Sequence, residues 1–139
     1  MIVDASVALK WLLREPDSPK ALDLLGRDDL CAPAVLRFEI GYALTKRVRR
    51  RELSAAEAAL LWRELDDGPL RLIGDSSVAD SAFELSISLR AGFYDCAYLA
   101  LAIAEDDVLV TADEGFAGAV RSALDPSLER RVRLLAELA

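Results

Sequence analysis

The sequence predicts an α/β fold, a parallel sheet with helices on both of its faces. Two observations carry this reading. The strand-like segments are short and apolar throughout, as strands buried on both sides must be, and segments of helical period separate each from the next. At 139 residues the chain has the size of one domain, and a single domain over 1–139 is expected.

The elements follow in order. Ile2 to Asp4 reads as a short buried strand, and an apolar-periodic helix runs from near Ser6 through Leu13. Ser18 followed by Pro19 opens a second helix, with proline at its first position, that closes at Gly26. DLCAP is a second strand, stopped by Pro33, and Ala34 to Val48 is helical by period, with Leu36, Ile40, Ala43 and Leu44 on one face. Ser54 and Glu57 make a capping box for a helix through Leu65, and Pro69 to Gly74 is a third strand. Ser77 with Asp80 opens a helix that stops at Gly92, and Tyr94 to Glu105 is a further helix, rich in Ala and Leu. DVLVT is a fourth strand, Asp113 starts a helix ending near Ala123, and Asp125-Pro126 marks a turn. Val132 to Leu135 closes the series as a strand or a last helix.

Composition narrows the chemistry. Apolar residues make up 53% and charged residues 29%, a globular balance. No apolar run reaches the roughly 20 residues a membrane span requires, and Asp4 interrupts any secretory leader, so a cytoplasmic protein with no membrane association is expected. The chain has no histidine, which excludes Ser-His-Asp hydrolysis, histidine general bases and His-ligated zinc. Cys31 and Cys96 stand in apolar surroundings and are expected as buried thiols. Acid–base or metal work must rest on 24 Asp and Glu, against 17 Lys and Arg, a net charge of −7. Such a protein repels nucleic acid at long range, so a nucleic-acid function needs local basic patches and a cation.

In a parallel sheet, functional residues gather beyond the carboxyl ends of the strands. Asp4 ends the first strand there, Asp113 follows the fourth, and Asp95 opens the CAYLALA helix. Glu39 places a charge inside the otherwise apolar FEIGYAL segment. Each has a plain structural role open to it: Asp4, Asp95 and Asp113 as helix caps, Glu39 as a solvent-facing side chain. Brought together, their mutual repulsion of roughly 4 kcal/mol per pair at about 4 Å would raise their pKa values or recruit a cation. An oxygen-only donor set suits Mg²⁺ or Mn²⁺, which needs no histidine to promote phosphodiester hydrolysis. The hydroxyls of Ser6 and Thr111 stand close enough in sequence to orient the ligands, or to serve only as capping groups. The run KRVRRR at Lys46 to Arg51, with Lys10 and Arg14, is either a solvated helix end or part of a groove for an RNA backbone, Arg47 included. Trp11, Trp62 and Tyr98 are read as packing residues.

With VDASV, the lone glutamate of FEIGYAL, YDCAYLALA and VTADEGF in this order, the chain resembles the PIN-domain ribonucleases, above all the VapC toxins of type II toxin–antitoxin pairs. The resemblance implies a three-layer α/β/α fold around about five parallel strands and a Mg²⁺- or Mn²⁺-dependent endoribonuclease. It also implies a homodimer and a cognate antitoxin that covers the acidic site. Carried over by motif, Asp4, Glu39, Asp95 and Asp113 would be the catalytic, metal-holding residues, with Ser6 and Thr111 in support and Glu114 a rival for the role of Asp113. A catalytically silent PIN-like binding module is the alternative. A phosphate-receiver domain fits less well, because no acidic pair follows the first strand, and a haloacid-dehalogenase-type phosphatase would need an aspartate where Ser6 stands.

Overall fold

The computed structural model describes residues 1–74 and 76–139. Five strands, β1 (Ile2–Val3), β2 (Cys31–Pro33), β3 (Arg71–Ile73), β4 (Leu109–Thr111) and β5 (Val132–Leu134), form one sheet of order β3-β2-β1-β4-β5. Every pairing is parallel, with Ile2 opposite both Cys31 and Leu109. The helices are α1 (Ala5–Leu12), α2 (Ser18–Asp23), α3 (Val35–Arg49), α4 (Ala55–Asp67), α5 (Ser77–Leu89), α6 (Phe93–Ala104), α7 (Glu114–Ser122) and α8 (Pro126–Glu129). No single helix among the described residues is long and apolar enough to cross a membrane.

Alternation along the strands splits the core into two layers. Ile2 and Leu109 join a large cluster that includes Leu36, Ile40 and Leu44 of α3, while Val3 and Val110 point the other way, onto Val7, Ala21, Leu24 and Leu135. The α6 helix is the centrepiece: every residue from Cys96 to Ala102 is buried, as expected of a helix apolar on all sides. Its alanines let α5 and the sheet approach closely. Cys31 and Cys96 are both free and buried.

Most boundaries fall within a residue or two of where the sequence puts them, and two differ for physical reasons. The α5 helix stops at Leu89, not Gly92, because Arg90 takes up the left-handed conformation at φ 53° and ends the helix without a glycine. Gly92 instead precedes the first residue of α6. Asp125-Pro126 opens the short helix α8 rather than a plain turn: Asp125 accepts from the Ser127 backbone N–H at 2.9 Å and Pro126 occupies the first helical position. The final segment is a strand to Leu134 and then a 3₁₀ turn, Leu135–Glu137.

Strand order reverses between β1 and β4, so a crevice opens beyond their carboxyl ends. Asp4 follows β1 and Asp113 follows β4 at that edge.

Candidate active site

Four acidic side chains from separate parts of the chain line one pocket of about 810 Å³ in this crevice: Asp4, Glu39, Asp95 and Asp113. Ser6 lines it as well, and Phe38, Tyr42 and Tyr94 contribute aromatic walls.

Asp4 turns out to be both a cap and a member of the cluster. Its Oδ1 accepts from the Val7 backbone N–H at 3.1 Å, closing the first turn of α1, and from the Ser6 hydroxyl at 2.5 Å. Ser6 Oγ in turn accepts from the Ala112 N–H at 2.9 Å and lies 3.5 Å from Thr111 Oγ1, which itself accepts from the Asp113 N–H at 3.0 Å. These bonds lace the end of β1 to the end of β4, so the hydroxyls of Ser6 and Thr111 orient the loops that carry Asp4 and Asp113. Asp113 caps α7 through Phe116 N–H at 2.9 Å. It lines the pocket, and Glu114, exposed in the first turn of α7, does not.

Glu39 and Asp95 enter from helices. In α3 the residues Leu36, Ile40 and Leu44 face the core, which leaves Glu39 at its border, half-buried and turned into the pocket. There its Oε2 accepts a hydrogen bond of 3.0 Å from the Tyr98 hydroxyl. Asp95 sits in the first turn of α6, where the helix dipole favours a negative charge. A Cβ on Gly92 would stand 2.8 Å from Asp95 Oδ2, so the glycine leaves the room that the carboxylate occupies.

The electrostatics is that of crowded, uncompensated negative charge. Asp4 is only 5% exposed. Burial drives its carboxyl from the ordinary 3.8 up to about 6, against the hydrogen bonds from Ser6, Thr111 and Val7, and the Asp95 charge adds to the rise. Burial likewise pushes Glu39 to about 6; the Tyr98 bond opposes this, and repulsion from Asp95 and Asp4 reinforces it. Asp95 is raised by burial first and then by Asp113. None of the four makes an ion pair among the described residues.

This donor set fits a hard divalent cation. All donors are oxygens, the charge has no ion-pair partner among the described residues, and burial penalises the ionised form of Asp4, Glu39 and Asp95 alike. As placed, no three acidic side chains among the described residues stand close enough to hold an ion together. The fit is one of donor chemistry: Mg²⁺ keeps several waters and takes only one or two carboxylates directly.

The basic residues divide. Lys10 is bound to Glu15 at 3.3 Å and to the Pro16 carbonyl at 2.8 Å, and Arg47 pairs with Glu15 and Glu52 at 3.1 and 3.4 Å. Both are therefore committed to a network joining the ends of α1 and α3. Arg14 is exposed, and Lys46 lies 5.7 Å from the ring of Tyr42, a wall of the pocket. The packing roles read for Trp11 and Trp62 are seen: the Trp11 indole donates to the Ala21 carbonyl at 2.7 Å, and Trp62 stacks under Arg37 at 4.6 Å. Tyr98 was legible only in part. Its ring is packed, but a buried phenol demands a polar partner, and that demand is the signal that leads to Glu39.

A five-stranded parallel sheet with this order, carrying four carboxylates in a crevice at its switch point, defines a three-layer α/β/α protein. Comparison with known proteins makes the class specific: the model of the PIN domain matches residues 1–121, and the chain belongs to that family. The chain is 34% identical over 116 residues to Ribonuclease VapC9 of Mycobacterium tuberculosis, a match covering 81% of this chain and 85% of that one. Among solved structures, PAE2754 from Pyrobaculum aerophilum superposes with a TM-score of 0.71 at 20% identity, over 97% of this chain and 88% of that one. VapBC2 from Rickettsia felis, solved bound to a DNA fragment from its promoter, gives 0.65 at 18% identity, over 96% of both chains. Both likenesses confirm the fold.

Proposed function

We propose that this protein is an endoribonuclease of the VapC type, the toxin of a toxin–antitoxin pair, which hydrolyses RNA phosphodiester bonds with the help of Mg²⁺ or Mn²⁺. The observation that carries the reading is the meeting of Asp4, Glu39, Asp95 and Asp113 in one crevice with no basic side chain paired to them among the described residues. The ribonuclease relatives supply the reaction class. In this reading residues 1–139 work as one PIN domain.

Asp4, Glu39, Asp95 and Asp113 would hold the cation. Bound there, it supplies Lewis acidity and charge neutralisation at a phosphate that the bare pocket would repel. The chain's own groups do the rest. Ser6 and Thr111 fix the two strand ends so that Asp4 and Asp113 face each other's element at constant spacing. Asp95 interacts electrostatically with Asp4, Glu39 and Asp113 and so occupies the middle of the charge distribution. Burial and mutual repulsion raise the Asp4 and Glu39 carboxyls in the bare pocket, and a cation held there would relieve that rise. Of Lys10, Arg14, Lys46 and Arg47, Lys10 and Arg47 are held by Glu15, which leaves Arg14 and Lys46, with no ion pair among the described residues, to meet an RNA backbone.

The antitoxin is expected to seat on the apolar groove of about 960 Å³ between α3 and α4, which shares Phe38 and Tyr42 with the acidic pocket. Phe38 is 80% exposed, a large apolar surface beside a charged site, as a partner-covered edge would be. A homodimer, cytoplasmic location and the antitoxin itself all follow from the family reading.

Incubation of the purified protein with total RNA tests the activity. Cleavage is expected with Mg²⁺ and is expected to stop in chelator; cleavage indifferent to both would remove the cation from the account, and no cleavage of any RNA in Mg²⁺ or Mn²⁺ would favour the silent binding module.

A further inference from the structure

The Tyr98 hydroxyl is placed where packing alone would not need it. Tyr98 lies three residues after Asp95 on α6, on the same side of the helix, and is 1% exposed. Its ring fills the core beneath the crevice, while its oxygen reaches across to α3 and donates to Glu39 Oε2 at 3.0 Å. That is the one hydrogen bond of the Glu39 side chain among the described residues, and Glu39 has no ion pair there. A glutamate at a half-buried helix border has three rotatable bonds and repelling neighbours in Asp4 and Asp95. Left alone, it would turn outward. A phenol donating to a carboxylate is a charge-assisted bond, strong and directional, and here the donor cannot move because its ring is enclosed on all sides.

We propose that Tyr98 is a positioning residue of the acidic site: its buried phenol pins the Glu39 carboxylate inside the crevice, opposite Asp95, and thereby completes the surface that receives a divalent cation. The inference rests on the proposed function only in taking Glu39 to contribute to cation binding. Tyr98 ties α3 to α6, the two helices that bring Glu39 and Asp95 to the pocket, so one side chain sets both the spacing of the helices and the direction of the carboxylate. A phenol keeps its proton at neutral pH, where a carboxylate can only accept, so the bond runs from Tyr98 to Glu39.

Mn²⁺ titration of the full chain by calorimetry or electron paramagnetic resonance tests this with four proteins: wild type, Tyr98→Phe, Glu39→Gln and the double variant. Tyr98→Phe keeps the ring and loses only the oxygen. It is expected to weaken Mn²⁺ binding about 10-fold, the size found when a group that orients a metal ligand is removed, with a thermal melt in chelator within a few degrees of wild type. In the Glu39→Gln background the same change should weaken binding no further. Tyr98→Phe binding Mn²⁺ as wild type does, or weakening it equally in both backgrounds, would overturn the positioning role while leaving the cation site intact. Wild type that binds no Mn²⁺, or Glu39→Gln that binds it unchanged, would overturn both the role and the part of the proposed function given to Glu39. Should Tyr98→Phe fold poorly, the Tyr98 hydroxyl proton followed by NMR in wild type and Glu39→Gln serves instead. A Mg²⁺-induced shift in wild type that persists undiminished in Glu39→Gln would refute the inference, and its loss there is the expected result.

Discussion

Replacing Asp4 by asparagine is expected to raise the melting temperature of the metal-free protein at pH 7.5 by about 5–10 °C while abolishing RNA cleavage. The Asp4 carboxyl titrates at about 6 in the folded protein against an ordinary 3.8. The native state therefore binds the extra proton between those values. The stabilisation this brings is complete below about pH 3.8 and is lost as the pH rises through 6. Above that range wild type carries an ionised carboxylate that burial disfavours, by roughly 2–3 kcal/mol at about 1.4 kcal/mol per pH unit. Asparagine escapes this term and keeps an oxygen to accept from Val7 N–H and the Ser6 hydroxyl, the two bonds that cap α1. The gain should vanish in melts at pH 4 and below. An advantage of equal size at both pH values, or a variant less stable at pH 7.5, would contradict the burial of charge on which the site reading stands.

Asp95→Asn should also lose cleavage, by on the order of 100-fold or more, as when one electrostatic group aimed at the reacting centre is removed, but with stability nearly unchanged. Asp95 interacts electrostatically with Asp4, Glu39 and Asp113. Its charge favours the N-terminus of α6 by about 0.3–1 kcal/mol, and relief from burial and from the repulsion of Asp113 acts against that. Gly92→Ala is expected to reproduce part of the loss from outside the pocket. The backbone at Gly92, φ −59° and ψ 138°, suits any residue, so the substitution strains no dihedral; it displaces Asp95 Oδ2, which stands 2.8 Å from the new methyl. A misplacement of that kind can lower a rate by about 10-fold or more with a melting temperature only a few degrees lower. Full cleavage by Asp95→Asn would take this residue out of the machinery, and full cleavage by Gly92→Ala would mean that the carboxylate tolerates the shift.

The parallel sheet was legible because its central strands β2, β1 and β4 are apolar but for the buried Thr111 and alternate with helical periods; the expectation of strands apolar throughout fails at the two edges, where β3 and β5 carry the exposed Arg71 and Arg133. The four acidic positions were legible for a related reason: Asp4 and Asp113 follow strands, and Glu39 breaks the apolar face of a helix. What the residues by themselves left open was whether Asp4 caps a helix or serves a site. The two roles prove compatible, since Oδ1 takes both the cap bond and the Ser6 bond. Other features stayed hidden because they depend on contacts distant in sequence. Glycine is the usual helix stop, so Gly92 drew the end of α5 to itself, whereas Arg90 adopts the left-handed turn and Gly92 makes room for Asp95. Asp-Pro signals a turn and a helix start alike, and only the fold decides that Asp125-Pro126 opens α8. The bond from Tyr98 to Glu39 spans 59 positions in sequence and follows from no local pattern. Nor does sequence reveal that Glu15 claims Lys10 and Arg47.

Anomalous scattering from a crystal of the protein soaked in Mn²⁺ addresses the shared cation most directly. A peak is expected in the crevice between Asp4, Asp95 and Glu39, with at least one carboxylate oxygen at about 2.0–2.3 Å and water completing the shell. Mn²⁺ found only elsewhere on the surface, with these carboxylates turned away from one another, would contradict the account.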